Sequence, residues 1–243
     1  MKNLTQTAAQ NHILNSLGGD ELERMLPDME LVTISKGEVL YNPDEKITHV
    51  YFPVKGMISV TSLTAEGQQV EIGTIGREGM AGLNVCMEAD RTPHESMAQI
   101  AGAALKMKAS ALKDEFNKGG TVQKSLLRFM HAYLLLVSQT AVCNRLHPVD
   151  RRLARWLLMC RDRVQSNLLS VTQEFLAAML GSNRPTVTGA ALALKNEGFI
   201  KYTRGKVEIL DANGLENYTC ECYPIVKAEY DRLPKYIVNQ ICV

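Results

Sequence analysis

The chain has 243 residues, enough for two domains of ordinary size, and 46% of them are apolar, which is sufficient for packed cores. Its formal net charge is only +1. The first residues, Met-Lys-Asn-Leu-Thr-Gln-Thr, lack the apolar core of a signal peptide, and no apolar run approaches the roughly 20 residues that a membrane helix needs. We therefore expect a cytoplasmic protein with no membrane segment.

Short strands separated by glycine turns dominate the first half of the chain. A helical segment over roughly residues 5–26 precedes them. The turns lie at Gly37, Gly56 and Gly67. The predicted strands cover residues 31–34, 39–41, 49–52, 57–62, 69–73 and 96–107. Strands at such regular spacing predict a double-sheet jelly roll or a barrel.

A long helix follows, over roughly residues 121–145. Its apolar residues cover more of its circumference than one buried face needs, so we expect it to pack on its own domain and on a second chain. An ordinary buried helix is the alternative. The predicted dimer contacts are Leu126, Phe129, Met130, Tyr133, Leu136 and Val137. Pro148 then begins another helix, residues 149–163, whose arginines we expect to face outward.

A helix, a glycine turn and a second helix are predicted between residues 172 and 197. Gly181 supplies the left-handed conformation that ends the first helix, and Ser182 or Asn183 can cap the second. The second helix is expected to bury Val187, Ala191, Leu192 and Leu194 and to expose Arg184, Thr188 and Lys195. Strands at 199–202 and 206–210, joined by Thr203-Arg204-Gly205, complete a wing. Such a unit fits the DNA major groove, although a helical hairpin without a nucleic-acid role has the same local pattern.

The distribution of charge favours DNA binding. Residues 1–120 carry 11 Lys/Arg against 16 Asp/Glu, a net of −5, whereas residues 121–206 carry 13 against 4, a net of +9. The remaining residues, 207–243, carry 3 against 6, a net of −3. A basic block that coincides with a helix-turn-helix pattern is typical of phosphate binding.

The succession of these segments resembles the cyclic-AMP-receptor/fumarate-nitrate-regulator (Crp/Fnr) superfamily of transcription regulators, within a bacterial branch that has a degenerate cyclic-nucleotide-binding domain. The resemblance covers most of the chain. Its motifs are Lys-Gly-Glu-Val-Leu at 36–40, His-Val-Tyr-Phe-Pro at 49–53, Ile-Gly-Arg-Glu-Gly-Met-Ala-Gly at 75–82, His-Pro-Val-Asp-Arg-Arg-Leu-Ala-Arg-Trp-Leu at 147–157, Leu-Gly-Ser-Asn-Arg-Pro-Thr-Val-Thr at 180–188 and Cys-Glu-Cys-Tyr at 220–223.

The resemblance implies an α+β protein in three parts. Residues 1–120 would form an N-terminal cyclic-nucleotide-binding-like β-roll, residues 121–146 a long dimerisation helix, and residues 147–243 a C-terminal winged helix-turn-helix domain with a helical tail. It also implies a homodimer on double-stranded DNA with an inverted-repeat operator, and RNA polymerase as a further partner. A dimeric ligand-binding adaptor, or a β-roll cavity protein without DNA binding, is the alternative function.

For DNA contacts, the family's guanine-reading arginine corresponds to Arg184, while the following family glutamate is replaced by Pro185. Thr186 and Thr188 are supporting candidates for base contacts. The residues expected to contact phosphates are Thr172, Gln173, Ser182 and Asn183 at two helix N-termini, and Lys201, Arg204 and Lys206 in the wing.

The effector pocket departs from the family pattern. Cyclic-nucleotide binders resemble Gly-Glu-Leu, in which the glutamate holds the ribose hydroxyl, but this chain has Gly82-Leu83-Asn84. Arg91-Thr92-Pro93 resembles the phosphate-binding arginine motif at a shorter spacing. We therefore expect an effector other than cyclic AMP, of unknown identity, or a purely structural roll. The candidate pocket residues are Gly79, Gly82, Leu83, Arg91 and Thr92.

Metal and catalytic sites are not assigned from the sequence, and no cofactor is identified. The six cysteines, at positions 86, 143, 160, 220, 222 and 242, do not form the grouped set of an iron–sulfur sensor. Cys220 and Cys222 are too closely spaced for a zinc knuckle and lack a second pair, so a redox couple, metal ligands and simple packing of a C-terminal helix all remain open. No nucleophile, phosphate-loop or dinucleotide motif is present, so we predict no enzyme activity.

Overall fold

The computed structural model describes residues 2–203 and 205–233 and divides into two compact units. Of these residues, the first unit contains 2–60, 74–134 and 228–233, and the second contains 61–73, 135–203 and 205–227. The predicted α+β class is confirmed, with a β-rich N-terminal domain, a long helix and a C-terminal helix-turn-helix region.

Three short helices begin the chain, where the sequence pattern predicted one helical region. The elements of the N-terminal half are helices α1 (Lys2–Ala8), α2 (His12–Asn15), α3 (Gly19–Met25) and α4 (Ala109–Asn117), and strands β1 (Met29–Ile34), β2 (Val39–Tyr41), β3 (His49–Leu63), β4 (Gln69–Ile75) and β5 (Glu95–Lys108). The strands form one sheet in the order β1-β5-β3-β4, with β2 also paired to β5.

Strand β3 joins two segments that the sequence pattern predicted as separate strands around a turn at Gly56. The chain does not reverse there, although Gly56 has a φ of 86°. A Cβ atom on Gly56 would lie 2.5 Å from the carbonyl oxygen of Ile100, and one on Gly102 would lie 2.0 Å from that of Lys55. The glycines are therefore needed for close approach between β3 and β5 rather than for a hairpin.

Asn11 connects the N-terminal helices to two loops of the first unit. The side chain is fully buried, and its Nδ2 donates to the carbonyl oxygens of Pro53 at 2.9 Å and Gly79 at 2.8 Å. Its Oδ1 accepts from the backbone N–H groups of Ile13 and Leu14 and so caps α2. All the polar atoms of this amide are therefore used, which lowers the cost of burying it.

Helix α5 runs from Gly120 to Leu146, and its apolar residues divide into an inward and an outward set. Leu126, Phe129 and Leu136 are at most 1% exposed within the single chain, which leaves them little surface to offer a second chain. The outward set is Leu127, Met130, Leu134, Val137 and Ala141. Among described helices, α5 is long and apolar enough to cross a membrane by length and composition, a property that core helices of soluble proteins share.

The C-terminal half consists of helices and three short strands. These are α6 (Val149–Val164), β6 (Leu168–Leu169), α7 (Gln173–Met179), α8 (Arg184–Asn196), β7 (Ile200–Thr203), β8 (Lys206–Ile209), α9 (Ala212–Tyr218) and α10 (Cys222–Arg232). The three strands form an antiparallel sheet in the order β6-β8-β7. The apolar core of this half includes Trp156, Leu176, Val187 and Leu194.

Candidate nucleic-acid interface and ligand pocket

The turn between α7 and α8 follows from three local signals. Gly181 has a φ of 54°, the left-handed conformation that ends α7. Asn183 caps α8, because its Oδ1 accepts from the backbone N–H of Thr186 at 2.9 Å and from the Thr186 hydroxyl at 2.7 Å. Thr172 caps α7 by accepting from the backbone N–H of Phe175 at 3.2 Å. The two helix N-termini are thus fixed before any ligand binds.

Arg184 is exposed at the first position of α8. One turn later, the Thr188 hydroxyl lies 2.8 Å from the carbonyl oxygen of Arg184 and 3.1 Å from Gln173 Oε1, so it links α8 to the N-terminus of α7. The predicted burial of Leu192 is wrong, because its side chain is 54% exposed. Ala190 takes its place in the core beside Val187, Ala191 and Leu194.

Gly189 lies on the side of α8 opposite those buried residues. It is exposed, and no heavy atom lies within 4 Å of the position that a Cβ would occupy. Pro185 precedes it by one turn on the same side, so the N-terminal part of this side carries little side-chain bulk, whereas Leu192, one turn after Gly189, is exposed there. A surface of that kind lets the helix backbone approach a partner closely.

Strands β7 and β8 form the wing. Thr203 pairs with Lys206, and Lys201 pairs with Glu208 across the two strands. Lys201 and Lys206 are both exposed, but Lys201 stands opposite a carboxylate. Lys206 is therefore the stronger phosphate candidate of the two. Arg204, which the sequence placed with them, lies outside the described residues.

The arginines of α6 do not form the outward basic face that the sequence predicted. Arg155 and Arg163 are only 6% and 8% exposed. Arg155 Nη2 donates to Thr140 Oγ1 at 3.0 Å, and Arg163 Nη1 donates to the carbonyl oxygen of Met159 at 3.1 Å. Arg152 donates to the carbonyl oxygen of Leu180, and burial lowers the pKa of its guanidinium. Several charges of the basic block thus hold the second unit together.

The hairpin between β3 and β4 packs on α6 and on the turn between α7 and α8. Trp156 Nε1 donates to Glu71 Oε1 at 2.9 Å, and both side chains are buried. A Cβ on Gly181 would lie 3.0 Å from Cγ2 of Val70. The hairpin side chains therefore reach the turn that precedes α8.

Aromatic side chains occupy the space beside the glycines of the predicted effector pocket. A Cβ on Gly79 would lie 2.0 Å from Cζ of Phe129, and one on Gly82, which has a φ of 91°, would lie 2.6 Å from the Tyr41 hydroxyl. That hydroxyl donates to the carbonyl oxygen of His49 at 2.9 Å, and burial raises the pKa of Tyr41 well above its usual value. Leu83 is buried at 9% exposure.

The arginine motif of the predicted pocket is turned to the surface. Arg91 is exposed, and its Nη1 donates to the carbonyl oxygen of Asp44 at 2.6 Å. Thr92 is buried, and its hydroxyl oxygen accepts from the backbone N–H of His94 at 3.3 Å. One nitrogen of the guanidinium is thus engaged by a backbone carbonyl.

Two family models match the chain. The cyclic nucleotide-binding domain matches residues 31–118, and the Crp-like helix-turn-helix domain matches residues 151–218, so together they cover more than half of the sequence. A comparison with curated proteins finds no match.

Solved structures with the same fold include a Crp/Fnr-family regulator from Eubacterium rectale, with 22% identity and a TM-score of 0.67 over 85% of this chain and 96% of that one. FixK2 from Bradyrhizobium japonicum has 18% identity and a TM-score of 0.68 over 79% and 98%. The c-di-GMP-responsive global regulator CLP from Xanthomonas campestris has 15% identity and a TM-score of 0.62 over 80% and 100%.

Proposed function

Because this chain belongs to the Crp/Fnr superfamily of transcription regulators, we propose that it binds an inverted-repeat operator as a homodimer and reads it chiefly with Arg184. The observation that carries the proposal is the exposed position of Arg184 at the N-terminus of a helix whose entry is fixed by Asn183 and Gly181. A guanidinium held there can donate two parallel hydrogen bonds to guanine O6 and N7 in the major groove.

The other polar side chains of the module divide into positioning and reading roles. Thr186 and Asn183 are hydrogen bonded to each other, and Thr188 is engaged with Gln173 and Arg184, so these groups present an ordered surface to DNA. Together with Thr172 and Ser182 they surround two helix N-termini, which favour phosphate oxygens. Lys206 in the wing adds a charge that can pair with phosphate without reading a base.

The outward apolar residues of α5 supply the proposed dimer contact. Positions 127, 130, 134, 137 and 141 follow the alternating three- and four-residue spacing of a coiled-coil seam. Leu127 and Leu134 are 49% and 66% exposed in the single chain. Pairing two copies of this stripe would remove that apolar surface from water. The two α8 helices of a dimer would then be expected to meet successive major grooves, about 34 Å apart on DNA.

The proposed sensor responds to a small molecule other than cyclic AMP, whose identity is unknown. Leu83 stands where cyclic-nucleotide binders carry a glutamate, and a ribose hydroxyl facing leucine would lose a hydrogen bond. The family also makes RNA polymerase a candidate partner and the cytoplasm the expected location. We assign no catalytic role to any residue.

Selection of bound sequences from a random DNA pool tests the reading role. Wild type should select an inverted repeat, and Arg184→Ala should lower specific affinity by about 1–3 kcal/mol and relax one base pair in each half-site. The matched control, Lys206→Ala, should weaken all sequences about equally and reduce the dependence on salt. An unchanged motif for Arg184→Ala, together with an altered motif for Lys206→Ala, would reverse the two roles.

A further inference from the structure

Four side chains that are distant in sequence converge at the base of the winged helix-turn-helix segment. Cys143 lies in the last turn of α5, and His147 follows one turn later, with its backbone N–H donating to the carbonyl oxygen of Cys143 at 3.1 Å. Cys220 lies between α9 and α10, and Cys222 is the first residue of α10. One ligand atom from each of the four lies within 4.8 Å of the corresponding atom of every other.

The spacing of these atoms matches that of ligands around one tetrahedral ion. Cys143 Sγ lies 3.6 Å from Cys220 Sγ, and Cys222 Sγ lies 3.5 Å from His147 Nδ1. Ordinary zinc–sulfur and zinc–nitrogen bonds of about 2.3 and 2.05 Å, at a tetrahedral angle, separate two sulfurs by about 3.8 Å and a sulfur from a nitrogen by about 3.6 Å. An iron–sulfur cluster divides its ligands among several irons, which requires a wider set.

Neighbouring groups also suit a metal site. His147 Nε2 lies 3.3 Å from Glu221 Oε1, an arrangement that leaves Nδ1 as the ligand and holds the ring by a hydrogen bond to carboxylate. Gln139 Nε2 donates to Cys222 Sγ at 3.2 Å. The three cysteines are at most 7% exposed, and His147 is half-buried. The four ligand atoms are therefore largely shielded from solvent.

We propose that Cys143, His147, Cys220 and Cys222 bind one Zn²⁺ in a closed structural site. Four protein ligands leave no position for a substrate, which is the arrangement of structural rather than catalytic zinc. The ligands flank the segment that contains α6 to α9, so the ion would join the end of α5 to the start of α10 and fix both ends of the DNA-binding module. This inference is independent of how the module reads DNA.

Sequence analysis left the role of Cys220 and Cys222 open because they have no second pair close to them in the chain. Cys143 precedes Cys220 by 77 residues, and His147 precedes Cys222 by 75. The recognisable signal is the Cys-x₃-His spacing at a helix end, which places both side chains on one face.

Metal content is the direct test. Full-length protein, produced with added zinc and purified under reducing conditions without chelator, should contain about one Zn²⁺ per chain by plasma mass spectrometry. Cys222→Ser should lose most of it, whereas the control Cys86→Ser should retain it. Cys86 is a suitable control because burial raises the pKa of its thiol to about 12 and it lies outside the cluster. His147→Cys should also retain zinc, because a four-cysteine set is equally suitable.

Cobalt substitution of the wild type keeps the test independent of how the variants fold. After removal of zinc, Co²⁺ alone should produce thiolate charge-transfer bands and the visible bands of tetrahedral coordination, both lost on competition with Zn²⁺. Loss of the ion should lower the melting temperature, because the binding free energy of a structural zinc contributes to folding. Metal-free protein with freely reacting thiols, a Cys143–Cys220 disulfide, or bound iron with cluster absorption would each overturn the proposal.

Discussion

The ring of Phe129 in α5 lies so close to Gly79 that a Cβ at position 79 would stand 2.0 Å from its Cζ atom. Phe129 is 1% exposed, so the ring is enclosed by protein. The same loop is also held by Asn11, which donates to the carbonyl oxygen of Gly79. The loop of the predicted pocket and the inward face of α5 therefore share one packed contact.

Gly79→Ala should destabilise the protein by about 1–3 kcal/mol, because the added methyl overpacks this contact. Chemical denaturation measures the loss. Gly19→Ala is the matched control, since no heavy atom lies within 4 Å of the Cβ that it would add. The double variant Gly79→Ala with Phe129→Leu should lose less stability than the sum of the two single variants, as expected of residues in contact. Additive costs would show that the contact is not the cause.

Leu127→Glu with Leu134→Glu should give a folded monomer that no longer binds an operator. Charges on this stripe would face each other in the proposed dimer, while in the single chain both side chains are largely exposed. Light scattering gives the mass, and circular dichroism checks the fold. The control Leu63→Glu changes a leucine that is 56% exposed outside α5 and should leave the dimer intact. A double variant of unchanged dimer mass would rule out this interface.

Cyclic AMP should not stabilise the protein even at about 1 mM, a hundredfold excess over a Kd of 10 μM. A ligand with a Kd of 10 μM would contribute about 2.7 kcal/mol at a hundredfold excess, so binding would be visible in a thermal melt. We expect no shift, because Leu83 offers no acceptor for the ribose hydroxyl. A clear rise in melting temperature with cyclic AMP would contradict the proposed sensor chemistry.

Gly189→Ala should stabilise the chain and yet weaken operator binding. Alanine in an exposed helix interior is favoured over glycine by about 0.5–1 kcal/mol, and the new Cβ meets nothing within 4 Å in the protein. The methyl would instead stand on the side of α8 expected to face the groove, and we expect affinity to fall by about 1–2 kcal/mol, a typical cost of overpacking.

Thermal melting and fluorescence anisotropy measure the two effects of Gly189→Ala separately. Asn196→Ala, at the C-terminal end of the same helix, is the control and should bind DNA as wild type does. If Gly189→Ala bound an operator as tightly as wild type, this side of α8 would not approach the bases.

Asn11→Ala should lower the free energy of unfolding by about 3 kcal/mol, because it removes the cap of α2 and leaves two buried carbonyl oxygens without their donor. Equilibrium denaturation is the appropriate measurement. Gln10→Ala, at the exposed neighbouring position, should change stability by less than about 0.5 kcal/mol. If the two variants were equally stable, the hydrogen bonds of Asn11 would not contribute to stability as proposed.

Local signals allowed the turn before α8 to be predicted, whereas the direction of side chains was harder to infer. Gly181, Asn183 and Pro185 act within a few residues of their own position, and the structure has the turn that they indicate. Leu192 and the arginines of α6 were misplaced, because their burial depends on elements that pack from elsewhere in the chain.

Helix α5 illustrates the same limit. A helix with apolar residues on more than one side has no single stripe from which the inner side can be identified, so Phe129 and Leu136 could not be distinguished from Leu127 and Leu134 by spacing alone. The long strand β3 was divided at Gly56 because a glycine needed for close packing resembles a glycine needed for a turn. The convergence of Cys143 and Cys220 required the tertiary fold.

The inward arginines of α6 should make the affinity for an operator less dependent on salt concentration. A basic side chain releases counterions from DNA only if it can reach a phosphate, and each such contact adds about 0.9 to the slope of log affinity against log salt. Arg155 and Arg163 are buried, and Lys201 stands opposite Glu208. The number of charges that can contact phosphate is therefore smaller than the +9 of residues 121–206 suggests. Operator binding should weaken less with added salt than it would if all of these charges contacted phosphate.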